Sequence, residues 1–314
     1  MKSLSKNKLS AEQINTLTNN AFGKNAVEFT ENKIGEFSAL YIIKLTDKEV
    51  ILKTAPKDDV RVLRYEKNAM QREVEALRLV KANTSVPVPE VLFYDTSKTL
   101  CSSNYFFMEK MEGDNYHSIS SEFSEEQNIL ITSQLGGFNR QINEIKSSKF
   151  GYENQFDDWK TAFSNMIFDL LKDGRDAGVK LPHPYEKIET IINSYIYACD
   201  DVKTSQLVHW DLWNGNVLVH DGKISGIIDF ERSLFGDILM EFYFRKFSIN
   251  KDFNAAYGID LTKLDKNANI RLALYDLYLA LVLVVEFYYR EYDSSQMAWR
   301  KEEFLKAVKG FEKL

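Results

Sequence analysis

Cysteine is scarce in this sequence: Cys101 and Cys199 are the only two. Two isolated thiols build neither a disulfide framework nor a zinc site, which points to a reducing compartment. Long apolar runs are missing too. The longest, near residues 277–285, is a fraction of a membrane span and stops at Glu286. The first eight residues are polar and lead into Ser10-Ala11-Glu12-Gln13, a helix-capping pattern where a signal peptide would carry an apolar stretch. Positive charge is not in excess: the net charge is −6, and basic and aromatic residues do not alternate, which disfavours a nucleic-acid groove. Repeats, low-complexity tracts and flexible linkers are absent. The expectation is a soluble, cytoplasmic protein with no membrane and no nucleic-acid partner.

What is present is more specific. At 314 residues the chain suits two lobes, and 44% hydrophobic with 27% charged residues excludes general disorder. The most informative stretch is His209-Trp210-Asp211-Leu212-Trp213-Asn214-Gly215-Asn216, followed by Ile227-Ile228-Asp229-Phe230-Glu231. Phosphoryl transfer from ATP needs a carboxylate to orient and deprotonate an acceptor hydroxyl, and oxygen ligands to hold magnesium on the triphosphate. Asp211 suits the first task, Asn216 and Asp229 the second. The pattern H-R-D-x-x-x-x-N is met at His209, Asp211 and Asn216, and Asp229-Phe230-Glu231 stands where D-F-G follows. Trp210 and Glu231 replace the Arg and the final Gly. A side chain at 231 restricts the backbone freedom that lets such a motif flip, so a site assembled without a phosphorylation switch is expected. Gln206-Leu207-Val208 leads into the loop, Val217-Leu218-Val219 leaves it, and Asp221-Gly222 turns the chain back through residues 223–228.

These residues resemble the aminoglycoside phosphotransferase and choline kinase group, a phosphotransferase family of small-molecule kinases. Its members carry H-G-D-L-x-x-x-N and I-D-[FW]-[EG], and this chain shows His209-Trp210-Asp211-Leu212 and Ile228-Asp229-Phe230-Glu231. The resemblance covers most of the chain. It implies an α+β, bilobal protein-kinase-like fold, with an N-terminal antiparallel sheet lobe over residues 1–112. A larger, mainly helical C-terminal lobe, residues 113–314, would hold the catalytic and substrate-binding parts. It also places Gly236-Asp237 after the metal loop, where Asp237 would hold that loop against the next helix.

A nucleotide lobe needs a phosphate-binding lysine. Residues 33–34, Gly35-Glu36-Phe37-Ser38 and residues 39–45 read as strand, tight turn and strand, with phosphate contacts expected from the backbone near Gly35 and the Ser38 hydroxyl. Val50-Ile51-Leu52-Lys53 matches the V-A-I-K strand with Lys53 in the lysine position. Residues 61–81 have helical periodicity and offer Glu66, Glu73 and Glu75 as partners for Lys53. The family's R-E-x-x-x-L helix favours Glu73. By the same resemblance, Tyr105-Phe106-Phe107-Met108-Glu109-Lys110-Met111 is the hinge, where backbone groups of Glu109 and Met111 meet adenine. Further helices are expected over residues 124–146, 156–172, 184–199, 240–247, 267–292 and 295–313.

The implied activity is transfer of phosphate from ATP, with Mg2+ as cofactor and GTP left open, to a small-molecule hydroxyl. An acidic wall of Asp157, Asp158, Glu241, Glu286 and Glu291 would suit an aminoglycoside or amino alcohol; Trp159, Tyr243, Phe244, Phe287, Tyr288 and Tyr289 would instead enclose a flatter acceptor. A protein kinase fits less well, because no A-P-E element and no long activation segment follow Asp229. A non-catalytic nucleotide-binding protein is a third class, although Lys53, Asp211, Asn216 and Asp229 are all retained.

Overall fold

The computed structural model describes residues 6–32, 37–241, 250–290, 295 and 297–314. Ser10 caps the first helix, α1 (Ala11–Phe22), by a reciprocal capping box with Gln13. Strands β1 (Glu28–Asn32), β2 (Ala39–Lys44) and β3 (Glu49–Thr54) precede helix α2 (Ala69–Asn83); β4 (Val91–Asp95) and β5 (Tyr105–Glu109) follow it. The five strands form one antiparallel sheet in the order β1-β2-β3-β5-β4.

Alternate strand residues face opposite sides of a sheet. Tyr41, Ile43, Val50, Leu52 and Phe107 therefore bury against Ile14 and Leu17 of α1, whereas Phe106 and Met108 join Val74 and Leu77 of α2. Lys53 pairs with Phe106 across the ladder and so shares its face. That register aims the lysine at α2.

The helix expected over residues 61–81 starts later, at Ala69. The Glu66 carboxylate accepts the Leu63 N–H at 2.9 Å and closes a 3-10 turn over Arg64–Glu66, and Asn68 at φ +59° breaks the helical path. The first sheet strand lies at Glu28–Asn32. Residues 33–34, expected as a strand, lie outside the described residues, as do Gly35 and Glu36.

The remainder is mainly helical. After the short β6 (Asp114–Asn115) and α3 (Tyr116–Ile119) come α4 (Glu125–Asn143), β7 (Lys146–Ser147), α5 (Trp159–Asp176) and α6 (Tyr185–Tyr195). Next are β8 (Ser205–Val208), β9 (Val217–His220), β10 (Lys223–Ile227), β11 (Leu234–Gly236), α7 (Lys251–Tyr257), α8 (Lys266–Arg290) and α9 (Met297–Gly310). Ile167, Leu171, Leu274, Leu281, Val285 and Phe304 belong to the buried core that joins α5, α8 and α9. Two small sheets, β10-β9-β6 and β11-β8-β7, hold the loops between β8 and β11. The β9–β10 turn has Asp221 at φ +48° and Gly222 at φ +71°, as a two-residue hairpin of the expected type needs.

Further elements differ from expectation. The helix expected over 184–199 ends at Tyr195 and continues as a 3-10 turn to Asp201. Of the segment 240–247, Met240 closes a 3-10 turn and residues 242–247 lie outside the described residues. Helix α7 is additional to the expected set, yet its signals are present: Asn250 accepts the N–H groups of Asp252 and Phe253, and Gly258 ends the helix at φ +88°. Among the described residues no helix is long and apolar enough to cross a membrane.

Candidate active site

Lys53 is the centre of the buried polar cluster. Its Nζ donates to Glu73 Oε2 at 2.7 Å, Asp229 Oδ1 at 3.0 Å and Glu231 Oε2 at 3.2 Å. Of the three glutamates weighed on the helix, Glu73 faces the lysine, Glu66 accepts from Leu63 and pairs with Arg290, and Glu75 accepts from Gln71. Burial would lower the Lys53 pKa, but the three carboxylates outweigh it and hold the ammonium protonated. Burial raises Glu73 to about 8. Asp229 lies below the usual carboxylate range because Lys53 beside it overcomes its own burial.

The carboxylates of Glu73, Asp229 and Glu231 lie within 4.8 Å of one another, a spacing a cation suits, and here that cation is the lysine ammonium. Asn216 stands beside Asp229 through the backbone: its carbonyl accepts the Ile228 N–H at 3.0 Å. Its side-chain amide donates to the Asp211 carbonyl at 2.8 Å, which leaves its oxygen for a hard cation.

The loop carrying Asp211 is held from several sides. His209 is buried; its Nδ1 accepts the Asp211 N–H at 3.3 Å and its Nε2 meets the Ile228 carbonyl at 3.1 Å. That arrangement requires the neutral imidazole, and burial lowers the His209 pKa accordingly. Trp210 takes φ +63° and Asp229 φ +68°, conformations that side chains rarely adopt. The Trp210 ring fills a buried nest formed by Tyr65, Tyr152 and Tyr278. Asp211 retains 24% side-chain exposure, and its carboxyl is pushed up to about 7, by burial first, with Asp229, Glu231 and Glu286 adding and Arg232 opposing.

Gly35 lies outside the described residues. Ser38 is buried and lines a cavity of about 450 Å³ with Phe37, Arg61, Lys67 and Met70; no described hydrogen bond ties it to the Lys53 cluster. The Glu109 N–H is already given to the Glu90 carbonyl at 2.9 Å, so only its carbonyl side is left for a ligand. Met111 packs against Gly226 of β10, where the sheet half meets the helical half.

Among the described residues, the acids considered for an acceptor wall are engaged by other protein groups. Glu241 is fully buried, and its carboxylate accepts from His209 N, Trp210 N, Asn139 and Asn143, so it braces the loop that carries Asp211 from behind. Glu286 is buried against Arg232, Arg290 and Tyr65. Asp157 pairs with Lys149, and Asp158 caps α5. Trp159 is core, with its indole N–H on the Tyr275 hydroxyl, and Tyr289 lies beneath Arg61. Phe287 and Tyr288 pack edge to face on each other, and Tyr288 is 39% exposed. Glu291, Tyr243 and Phe244 lie outside the described residues. Asp237 accepts from Arg271 and Tyr275 of α8 at 2.8 Å each, tying the loop that follows Asp229 to that helix. Arg232, 3.8 Å from the Asp211 carboxylate, had no sequence signal beyond its place after Glu231.

The sequence model of the Phosphotransferase enzyme family matches residues 30–261. Aminoglycoside phosphotransferase APH(4)-Ia, solved with AMP-PNP and hygromycin B, is 16% identical with a TM-score of 0.67, covering 95% of this chain and 98% of that one. A putative fructosamine-3-kinase from Haemophilus somnus is 17% identical with a TM-score of 0.69, covering 94% and 97%. APH(2")-IIa, in a ternary complex with streptomycin and ATP, is 18% identical with a TM-score of 0.67, covering 97% and 99%. At such identities the likeness shows the fold, a bilobal kinase-like α+β architecture. The probable acyl-CoA dehydrogenase IBR3 of Arabidopsis thaliana is 24% identical over 183 residues, 54% of this chain; the match spans 22% of that curated relative's length.

Proposed function

The chain belongs to the phosphotransferase enzyme family, and on that premise we propose that it moves the γ-phosphoryl group of ATP to a hydroxyl of a small molecule. The convergence of Lys53 Nζ on Glu73 and Asp229, at 2.7 and 3.0 Å, carries this reading. A lysine fixed in direction by a buried glutamate and placed against the metal-motif aspartate is what the inner phosphates require.

The donor set fits Mg2+: the Asp229 carboxylate and the Asn216 amide oxygen are hard oxygen ligands. Bound there with ATP, Mg2+ would offset the charge of the phosphates. Lys53 contributes a fixed positive charge to the phosphates, and the Glu109 carbonyl with the Met111 amide would receive the adenine edge. Gly35 and Ser38 stay assigned to the phosphate-covering turn. Asp211 orients the acceptor hydroxyl and takes its proton; the acceptor oxygen bonds to the γ-phosphorus as the bond to the β–γ bridging oxygen breaks, releasing ADP. In this division of labour residues 1–112 hold nucleotide, and residues 113–314 hold base, metal and acceptor. A cytoplasmic setting, where ATP is available, goes with it.

The acceptor class we propose is an aminoglycoside or amino alcohol; the cavity of about 180 Å³ beside Tyr65 and Tyr152 does not by itself select it, because Asp173 there pairs with Arg64 and Glu153 with Arg72. ATP consumption measured against amino sugars, amino alcohols and simple sugars tests the reading. Magnesium-dependent ADP formation raised by one class supports it. Nucleotide binding with no ATP consumption under any condition would instead indicate a non-catalytic nucleotide-binding protein.

A further inference from the structure

Taking Asp211 as the base, the reading on which this inference rests, we propose that Tyr65 is a positioning residue for phosphoryl transfer: its hydroxyl fixes Glu286, which sets Arg232 against the Asp211 carboxylate. Tyr65 belongs to the turn between β3, the lysine strand, and α2, and thus to the nucleotide side of the molecule. Its hydroxyl donates to Glu286 Oε1 at 2.5 Å; Arg232 Nη2 donates to the same oxygen at 2.7 Å, and Arg232 Nε stands 3.8 Å from Asp211 Oδ2. The guanidinium also lies 5.9 Å from the centre of the Tyr65 ring.

Arg232 is held between two carboxylates. With the Tyr65 O–H in place, part of the demand of Glu286 for donors is met from the nucleotide side. Without it, a buried carboxylate loses a donor and draws the guanidinium away from Asp211. A phenol that only filled space would not need its hydroxyl on a buried carboxylate, where an unmet polar group is costly. Burial holds the phenol protonated, so it acts as a donor.

The neighbours of Tyr65 anchor the same turn to the helical half. Arg64 gives its backbone N–H to Asp173 Oδ2 at 2.8 Å and its guanidinium to Asp173 and Asp176 of α5. Glu66 pairs with Arg290 at the end of α8. Three consecutive residues of the nucleotide half therefore grip α5 and α8, and the middle one is linked to Asp211 through Glu286 and Arg232. Seating of the turn and alignment of Asp211 are one event.

The test uses the full chain with Mg-ATP and water as the acceptor, read as ADP release, in Tyr65→Phe, Glu286→Gln, the double variant and Asp211→Asn. Each single change at 65 or 286 is expected to lower kcat about tenfold at unchanged KM for Mg-ATP, and the double variant to lose no more than the larger single loss. A tyrosine that only packs would lower the melting temperature and leave kcat of the folded protein alone. Unchanged turnover in Tyr65→Phe, or losses that multiply in the double variant, overturns the inference while leaving the base intact. Wild-type turnover in Asp211→Asn, with chemistry shown to be rate-limiting, overturns the reading of the base and this inference with it. Should Glu286→Gln not fold, Tyr65→Phe decides alone.

Discussion

Glu241 lies 32 residues beyond His209, yet its Oε1 accepts the His209 backbone N–H at 2.9 Å. The same carboxylate takes the Trp210 N–H through its other oxygen at 3.2 Å and two asparagine amides of α4 through Oε1 at 3.0 Å each. One buried side chain thereby joins the loop that carries Asp211 to the helix behind it. Peptide N–H groups that have turned away from any strand partner find their acceptor there.

Glu241→Gln keeps the shape and replaces one acceptor oxygen with a donor. The new NH2 group must face either the Trp210 N–H or the three donors at Oε1. The variant should lose about 1–3 kcal/mol of stability, the scale of a buried group left unpaired. Urea unfolding measures it, and a midpoint equal to that of the wild type would remove Glu241 from this role.

Trp210 occupies a left-handed conformation that glycine adopts freely, and its ring fills the space between Tyr65, Tyr152 and Tyr278. Trp210→Gly should relieve about 1–2 kcal/mol of backbone strain. It also removes a buried aromatic ring, a change that costs about 3–5 kcal/mol. The lost packing outweighs the relieved strain, so thermal melting should show net destabilisation. A melting temperature raised by the glycine would mean that the ring contributes little to the nest.

Lys53→Met removes the counter-charge of Glu73, Asp229 and Glu231. Breaking a buried pair of this kind typically costs about 3–5 kcal/mol. Carboxylates left facing one another have raised pKa values in the folded state, and Glu73 already stands at about 8. The folded protein then keeps protons that the unfolded chain releases, so the deficit relative to wild type should grow as pH rises from 5 to 8. Calorimetry should also show loss of Mg-ATP affinity. A deficit that shrank with rising pH, or unchanged affinity, would contradict the assignment of Lys53.

The parts of this site that were legible from sequence are those whose chemistry demands one residue type at one spacing. Asp211, Asn216 and Asp229 stand within a short stretch because two adjoining loops present them, and Lys53 announces itself by the strand around it. Glu73 needed the resemblance, because periodicity alone left Glu66 and Glu75 equal to it; the structure separates them by turning Glu66 towards Leu63 and Arg290. Glu241 and Glu286 read as acids on helical segments that, by the resemblance, surround an acceptor. They are buried acceptors for backbone and arginine groups far away in the chain, a relation that pattern cannot express. The start of α2 departs from its periodicity for a related reason: a side-chain hydrogen bond and contacts with α5 override helical propensity over Arg64–Glu66.

Burial raises Asp211 to about 7, against an ordinary aspartate near 3.8. A raised value means that the protonated form, which cannot accept the acceptor's proton, dominates below pH 7. Turnover should therefore fall about tenfold for each unit of pH below 7 while chemistry is rate-limiting. A pH–rate profile measures this, and a flat rate between pH 8 and 5 would remove Asp211 as a base with that environment.

The most direct measurement is turnover and Mg-ATP affinity in Asp211→Asn. The amide keeps the shape and loses the charge and basicity, whereas Lys53, Asn216 and Asp229, the groups assigned to the nucleotide, are untouched. Affinity by calorimetry should change little and turnover should fall about a hundredfold or more, the usual scale for loss of a general base. Near-wild-type turnover on a verified acceptor, with chemistry shown to be rate-limiting, would contradict phosphoryl transfer by this loop.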